Sequence, residues 1–595
     1  MNIIGVSGLN NSVSFKKREF PNFPSRYYRI AQGFDSAAAL VDHSGVLAAA
    51  AEERFTREKS TGAFPVNAIQ YCLRAGRLTP KDVDYIAHGF SYEPFKFLFD
   101  TEDYRRKQYE EVYCPEVQKR LLEKHFPVVN WNEKLIPVPH HLAHAASTFY
   151  LSGFQEALIL ISDGMGELHS TTLAVGDENG IKIIRQIPAL HSVGILYGVT
   201  TLYLGFEFGL DEYKVMGLAP YGNPRRFFSK MMDLIHMKQD GTYTIPILYQ
   251  NTTEEQQESY GGTLRILTDT FGAPREPGGE ITRDHMDIAA ALQSVLQECQ
   301  LHVLRHFKRE TGQSNLCLAG GVALNCTVNG AVQRSRIFRN LFIQPAAGDD
   351  GSALGAALYV QRQREPEQKN HKMGLPLWGP SFNDQEIRQV LKNRRDCRNV
   401  YFASVEKLTR EISSRLAQGQ IVAWFQGCME FGPRALGNRS ILADPRNAGM
   451  GDRINSLVKK REAFRPFAPV VTKESAAEFF QIKAGDEDMY AYMIMVTQVR
   501  PAFRKKLPAI THVDGSARVQ TVDKGHNPHL WQLLTEFERL SGMPILLNTS
   551  FNVKGQPIVC TPEEALDTFL FAKMDVLVMG NYVVEPFVSP VVARG

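Results

Sequence analysis

A chain of 595 residues is too long for one hydrophobic core and points to two to four domains. With 44% apolar residues, 22% charged residues and a net charge of +3, its composition is globular, and it lacks the basic footprint expected for nucleic-acid binding. Eight cysteines without a Cys-x-x-Cys pair argue against a structural zinc site and a disulfide framework, and the absence of a membrane-length apolar run or signal-peptide core leaves a cytoplasmic enzyme as the expectation.

Residues Ile3 to Ser7 read as a strand. The next stretch, Asn10 to Arg29, sets Lys16, Lys17, Arg18, Arg26 and Arg29 against Glu19, with Phe20, Phe23, Tyr27 and Tyr28 among them. Such a mixture suits an anionic or ring-bearing ligand; a solvated insertion in a hairpin fits equally well. Gly33 to Asp42 and Gly45 to Ala49 then read as a strand, a turn at Ser44-Gly45 and a return strand. Asp35 stands at the mouth of this hairpin. An acid there faces nucleotide or its metal in actin-like ATPase folds, or it caps the turn.

Pro139 to Ser147 holds three of the 16 histidines within five residues. On a helix, His140 and His144 lie one turn apart on one face and can share a metal ion. A surface histidine pair at a helix start is the alternative. Ala157 to Ile161 reads as a fully buried strand running into Asp163-Gly164, with the aspartate where open α/β sheets bind ligands. Leu316 to Asn325 reads as a strand, a Gly320-Gly321 turn and a helix start whose N–H groups can cradle a phosphate. Asp349 and Asp350 open another helix, where paired carboxylates repel unless a cation is near. Together, His140, His144, Asp163 and Asp349 make a mixed N/O donor set that suits Fe(II), Mn(II) or Zn(II).

Between Gln361 and Asn383 the chain turns polar and proline-punctuated, which places the domain boundary there. The second half concentrates arginine among Gly, Pro and Phe, at Phe431 to Ser440, Lys459 to Pro469, His512 to Arg518 and Leu547 to Asn552. Guanidinium forks so held suit phosphate and carboxylate.

These motifs, together with Lys214 to Gly222 and Gly348 to Gly351, resemble those of the O-carbamoyltransferases of the nodulation-factor and antibiotic-tailoring type. The resemblance covers nearly the whole chain. It implies an α/β protein with a two-lobed actin-like (ASKHA) unit over residues 1–365 and a YrdC-like α/β domain over 366–595. The YrdC-like domain would make carbamoyl adenylate from carbamoyl phosphate and ATP, the latter as its Mg2+ complex. The first domain would pass the carbamoyl group to a hydroxyl of a small-molecule natural product, such as an antibiotic, and release AMP. His140, His144, Asp163 and Asp349 would hold iron or another divalent metal. Gly164, Lys214, Gly320, Gly321 and Asn325 would line the adenylate. Arg434, Lys459, Arg465, Arg518 and Ser550 would grip carbamoyl phosphate and nucleotide phosphates, with Asp35, His140, His144 and Arg434 as catalytic candidates. Carbamoyl adenylate hydrolyses in water, so a closed route between the two sites is expected.

The chain departs from the family pattern in one place: Phe34-Asp35 stands where a His-Asp pair is usual. Phenylalanine cannot be a base, so either Asp35 or a metal-bound group takes that role, or the acceptor enters differently. The rival readings are a small-molecule kinase of the actin-like fold, a nucleotide-regulated binding module, and a tRNA-modifying enzyme, which the balanced charge disfavours. No membrane partner is expected, and a homodimer stays open because dimers are common among cytosolic enzymes.

Overall fold

The computed structural model describes residues 1–587 and divides into two compact units, Met1–Met373 and Gly374–Gly595. The first unit contains the same five-stranded sheet twice. Across one copy the order is Gly45–Ala51, Ala37–Asp42, Ile3–Val6, Tyr85–His88 and Leu135–Pro137. The first three strands are antiparallel neighbours, and the last two join in parallel. The other copy runs Gly180–Pro188, His169–Asp177, Ala157–Gly166, Asn315–Ala319 and Asn340–Ile343, with the same pattern of directions. This duplicated order makes the unit actin-like.

Each sheet is followed by a helix that begins at its edge. After Leu135–Pro137 comes His140–Phe149; after Asn340–Ile343 comes Asp349–Arg364. The two helices cross with no side chain between them at one point. A Cβ on Gly355 would stand 1.7 Å from the Ala143 carbonyl oxygen, and one on Gly5 would stand 1.8 Å from that of Ala353. The helix Asp349–Arg364 is thus wedged between a helix and a strand on glycine alone, which explains the small-residue run in its sequence.

The basic and aromatic stretch is folded. Ser12–Glu19 is a helix and Ser25–Tyr27 a single 3-10 turn. Phe15 packs into a cluster with Leu9, Phe90, Tyr92, Phe99, Tyr104, Tyr109 and Val112. Lys16 is buried; its Nζ donates to the carbonyls of Ile30 and Glu258 at 2.5 Å each and pairs with the Glu258 carboxylate at 3.1 Å.

The second unit holds an eight-stranded mixed sheet. Its order is Cys397–Tyr401, Tyr582–Pro586, Val576–Met579, Val422–Phe425, Arg439–Ala443, Ile545–Ser550, Ala468–Thr472 and Gln520–Val522. Helices Val405–Ala417 and Pro528–Ser541 supply Leu408, Ile412, Leu416, Leu530, Leu533, Leu534 and Phe537 to a core with Trp424, Leu442, Val470 and Leu546. Among the described residues of both units, no helix is long and apolar enough to cross a membrane.

The crossing point is testable. Gly355→Val should overpack it, at a cost of about 1–3 kcal/mol or more, and lower the thermal midpoint measured by calorimetry; an unchanged midpoint would mean that the helices are not in contact there.

Candidate functional site

Both crossing helices begin at the same place. His140 and Asp349 are the first residues of their helices, and strand Ala157–Gly166 delivers Asp163 between them, where its pairing with the neighbouring strand is interrupted after Ser162. The Nε2 atoms of His140 and His144 face each other at 3.0 Å. From His140 Nε2, Asp163 Oδ2 is 3.3 Å away and Asp349 Oδ1 3.4 Å. From His144 Nε2 the corresponding distances are 3.9 and 3.8 Å. The four donor atoms all lie within 4.8 Å of one another. Donors bound at about 2.0–2.2 Å to a common ion stand about 3–4.4 Å apart, so the set fits a divalent metal.

The surroundings orient these donors. His140 Nδ1 donates to the Gly89 carbonyl at 2.8 Å, which leaves Nε2 for the cluster. The Phe90 ring stacks on the His140 ring at 4.2 Å. Gly166 makes room beside it, since a Cβ there would lie 2.8 Å from His140 Cδ2. His141, the third histidine of the motif, turns away, with its Nδ1 2.7 Å from the Thr172 hydroxyl and burial holding its pKa down at about 3.

Burial disfavours charge on both cluster imidazoles. At His140 the carboxylates of Asp349 and Asp163 overcome burial and hold the pKa well above the ordinary value. At His144, burial and then the His140 charge push it well below. Burial would raise Asp163, but the two rings win and hold it low, whereas Asp349 is raised chiefly by burial. The electrostatics therefore favour one positive charge where the four donors meet.

Asp35 stands at the edge of this group. Burial, then the Glu53 charge, pushes its carboxyl up to about 6, and Asp349 adds to the effect. Its Oδ1 is buried without a hydrogen-bond partner. Burial and the Asp35 charge push the adjacent Asp350 up to about 7. The Phe34 ring carries the Arg29 guanidinium at 4.5 Å.

The predicted adenylate residues divide. The Gly321 amide donates to Asp163 Oδ1 at 2.9 Å, and a Cβ on Gly320 would lie 2.4 Å from the Ser162 carbonyl oxygen, so the Gly-Gly turn rests against the Asp163 strand. A Cβ on Gly164 would meet nothing within 4 Å. Asn325 caps helix Cys326–Ser335 and exchanges amide hydrogen bonds with Gln293 at 2.9 and 3.1 Å. Lys214 pairs with Asp211 at 2.8 Å.

In the second unit, the strand register places the predicted phosphate-binding residues at one end of the sheet. Phe425 pairs with Arg439, Ser440 with Ser550, Ala468 with Asn548, and Val470 with Gln520. Arg434 lies in the loop between the first two of these strands, Lys459 and Arg465 in the segment entering Ala468–Thr472, and Arg518 two residues before Gln520. Lys459 Nζ reaches the Ser550 carbonyl at 2.5 Å and its hydroxyl at 3.3 Å. Arg465 lies 3.5 Å from Glu462, and Arg518 Nε is buried without a hydrogen-bond partner. Arg439 is structural: buried over the Phe425 ring at 3.7 Å, it donates to the carbonyls of Gln426, Asn438, Pro380 and Gly427.

Several supporting residues escape a sequence reading. Glu430 Oε1 accepts from the amides of Leu436, Asn438 and Arg439 and so shapes the Arg434 loop. Gln520 and Asn548 donate to the carbonyls of Leu436 and Ala435, tying that loop to the Arg518 and Ser550 strands. Glu167 does similar work beside His140.

Residues 30–358 match the family model described as the carbamoyltransferase N-terminus, and residues 413–586 match the carbamoyltransferase C-terminus. The chain is 40% identical to the uncharacterized protein sll1178 of Synechocystis sp., covering 95% of this chain and 96% of that one. It is 39% identical to nodulation protein NolNO of Sinorhizobium fredii, over 98% of this chain and 82% of the relative. Nodulation protein NolO of Bradyrhizobium diazoefficiens is 40% identical over 75% of this chain and 78% of its own length. Among solved structures, full-length HypF in its phosphate- and nucleotide-bound form aligns at 12% identity and a TM-score of 0.30, covering 61% of this chain and 56% of that one.

The opposed directions of the histidines predict a clean contrast. His144→Ala should abolish retention of a divalent metal through dialysis, while His141→Gln should keep it; elemental analysis of the two proteins measures this, and equal retention would refute the four-donor cluster as the binding site.

Proposed function

The chain belongs to the carbamoyltransferase family, and from that premise we propose that it is an ATP-dependent O-carbamoyltransferase acting on a hydroxyl of a small-molecule natural product. The observation that carries the proposal is the buried four-donor cluster at the meeting of two helix N-termini, in a chain whose second unit gathers basic residues at one sheet end. A kinase or a binding module accounts for neither the paired carboxylates around His140 nor the carbamoyltransferase match in both units.

In the proposed sequence the second unit, a YrdC-like domain on this reading, binds carbamoyl phosphate and MgATP. Arg434, Arg465, Arg518 and Lys459 neutralise the phosphates, with the Ser550 hydroxyl as a further hydrogen-bonding group. Carbamoyl phosphate loses phosphate to water and leaves carbamate. A carbamate oxygen attacks the α-phosphorus of ATP, pyrophosphate departs, and carbamoyl adenylate forms. Carbamate itself is a poor electrophile; the mixed anhydride converts AMP into its leaving group.

The first unit transfers the carbamoyl group. The N-terminus of helix Asp349–Arg364 favours the adenylate phosphate, and the open side of Gly164 admits it. A divalent ion, Fe(II) being the first candidate, held by His140, His144, Asp163 and Asp349 would supply Lewis-acid chemistry at the phosphate and carbonyl oxygens. Asp35 takes the acceptor hydroxyl proton as the new C–O bond forms, and the bond to AMP breaks. Phe34 cannot share that task; its ring, with Arg29 over it, is a wall of the acceptor side.

Two measurements test the proposal. Arg434→Ala should abolish pyrophosphate release that depends on carbamoyl phosphate while leaving metal content intact; retained release would remove the second unit from the first step. Asp35 acts as a base only when deprotonated, so with its carboxyl near 6 kcat/KM for transfer should rise through about pH 6 and level off above it. Asp35→Asn should lose that limb along with most activity. A limb that persists in the variant would assign the base elsewhere.

A further inference from the structure

Helix His140–Phe149 starts at a residue that cannot cap it. Pro139 holds the N-cap position and offers no side-chain acceptor, where Ser, Thr, Asp or Asn would serve. The first amides of a buried helix need partners. Glu167 supplies one from 27 residues away: its Oε1 accepts from the His140 amide at 3.0 Å, and Oε2 lies 3.2 Å from the same N–H. The same Oε1 accepts from the Ser91 amide at 2.8 Å.

These bonds gather the pieces that aim the metal donors. Ser91 ends the Gly89-Phe90-Ser91 loop, whose Gly89 carbonyl holds His140 Nδ1 and whose Phe90 stacks on the His140 ring. Glu167 itself follows the Asp163 strand by one residue, in the turn before His169–Asp177, with φ at +43° and 7% exposure. One carboxylate thus ties the loop after a strand of the first sheet, the helix bearing both histidines, and the strand of the second sheet bearing Asp163. It also places a negative charge beside the ring that would ligate a cation.

We infer that Glu167 is the positioning residue of the metal centre: a remote cap that fixes the His140 ring and, through its charge, raises the affinity of the site for a divalent cation. The inference rests on the metal reading above. Glu167 is no ligand in it; it acts through His140 and the loop. Groups that hold ligating histidines in this way change metal affinity about 10–100-fold when removed.

The test uses the full-length protein stripped of metal. Divalent affinity is measured by competition against a chromogenic chelator, with Fe(II) under anaerobic conditions and Mn(II) in parallel. Amide hydrogen exchange at Ser91 and His140 is measured on the metal-free form. Glu167→Ala is expected to weaken metal binding about 10–100-fold and to speed exchange at both amides. Glu167→Gln keeps an acceptor for both, so exchange should stay slow while affinity still falls, by less than in the alanine variant. Wild-type affinity in the glutamine variant overturns the inference, and so does wild-type exchange with wild-type affinity in the alanine variant. If alanine prevents folding, the glutamine variant decides. Should wild type bind neither ion, the metal reading fails, and the positioning role falls with it; the exchange data then report only the cap.

Discussion

Everything in the first unit depends on two helices touching backbone to backbone. Gly355 meets the Ala143 carbonyl and Gly5 meets that of Ala353, with only hydrogen atoms in the gap. That proximity brings two helix starts into register, so that the first side chain of each, His140 and Asp349, meets the other's. A larger residue at either glycine would collide with backbone and so press the helix Asp349–Arg364 away from its neighbour. The duplicated sheets set up this arrangement, because each ends in one of the crossing helices.

The two units handle buried charge in opposite ways. The first collects Asp35, Asp163, Asp349 and Asp350 around two imidazoles, of which His140 is held in its charged form and His144 in its neutral one. The second collects guanidinium and ammonium groups at the end of its sheet. Each relies on a buried glutamate that binds backbone amides rather than a side chain: Glu167 at the helix start, Glu430 under the Arg434 loop. A loop pinned at its amides has little backbone freedom left to lose when it meets a ligand.

The parts legible in the sequence were those with a short period. His140 and His144 declare themselves by helical spacing, the Ala157 strand by its unbroken apolar run, and the Gly320-Gly321 turn by position, and the structure brings these together with Asp163. What could not be read depends on distance along the chain. Lys16 could be read as ligand-facing or as solvated charge, but not as a buried ion pair, because its partner Glu258 is 242 residues away. Glu167 could not be recognised as a cap, since local caps sit beside their helix. The arginine motifs were visible one by one, but which strand ends lie side by side is a property of strand order, which places Arg439, Ser550, Ala468 and Gln520 at one end of the sheet.

The buried ammonium of Lys16 has a further consequence for how this enzyme can be altered. It pins the amino-terminal segment to the helix Glu254–Ser259 through two contacts, the Glu258 carbonyl and the Glu258 carboxylate, while a third bond to the Ile30 carbonyl ties the segment to itself. One buried side chain joins the two segments, although 242 residues separate Lys16 from Glu258. A chimera that borrows either segment alone from a relative would strand a charge in a dry interior. Recombination across this region must therefore exchange both segments together or keep Lys16 and Glu258 in both.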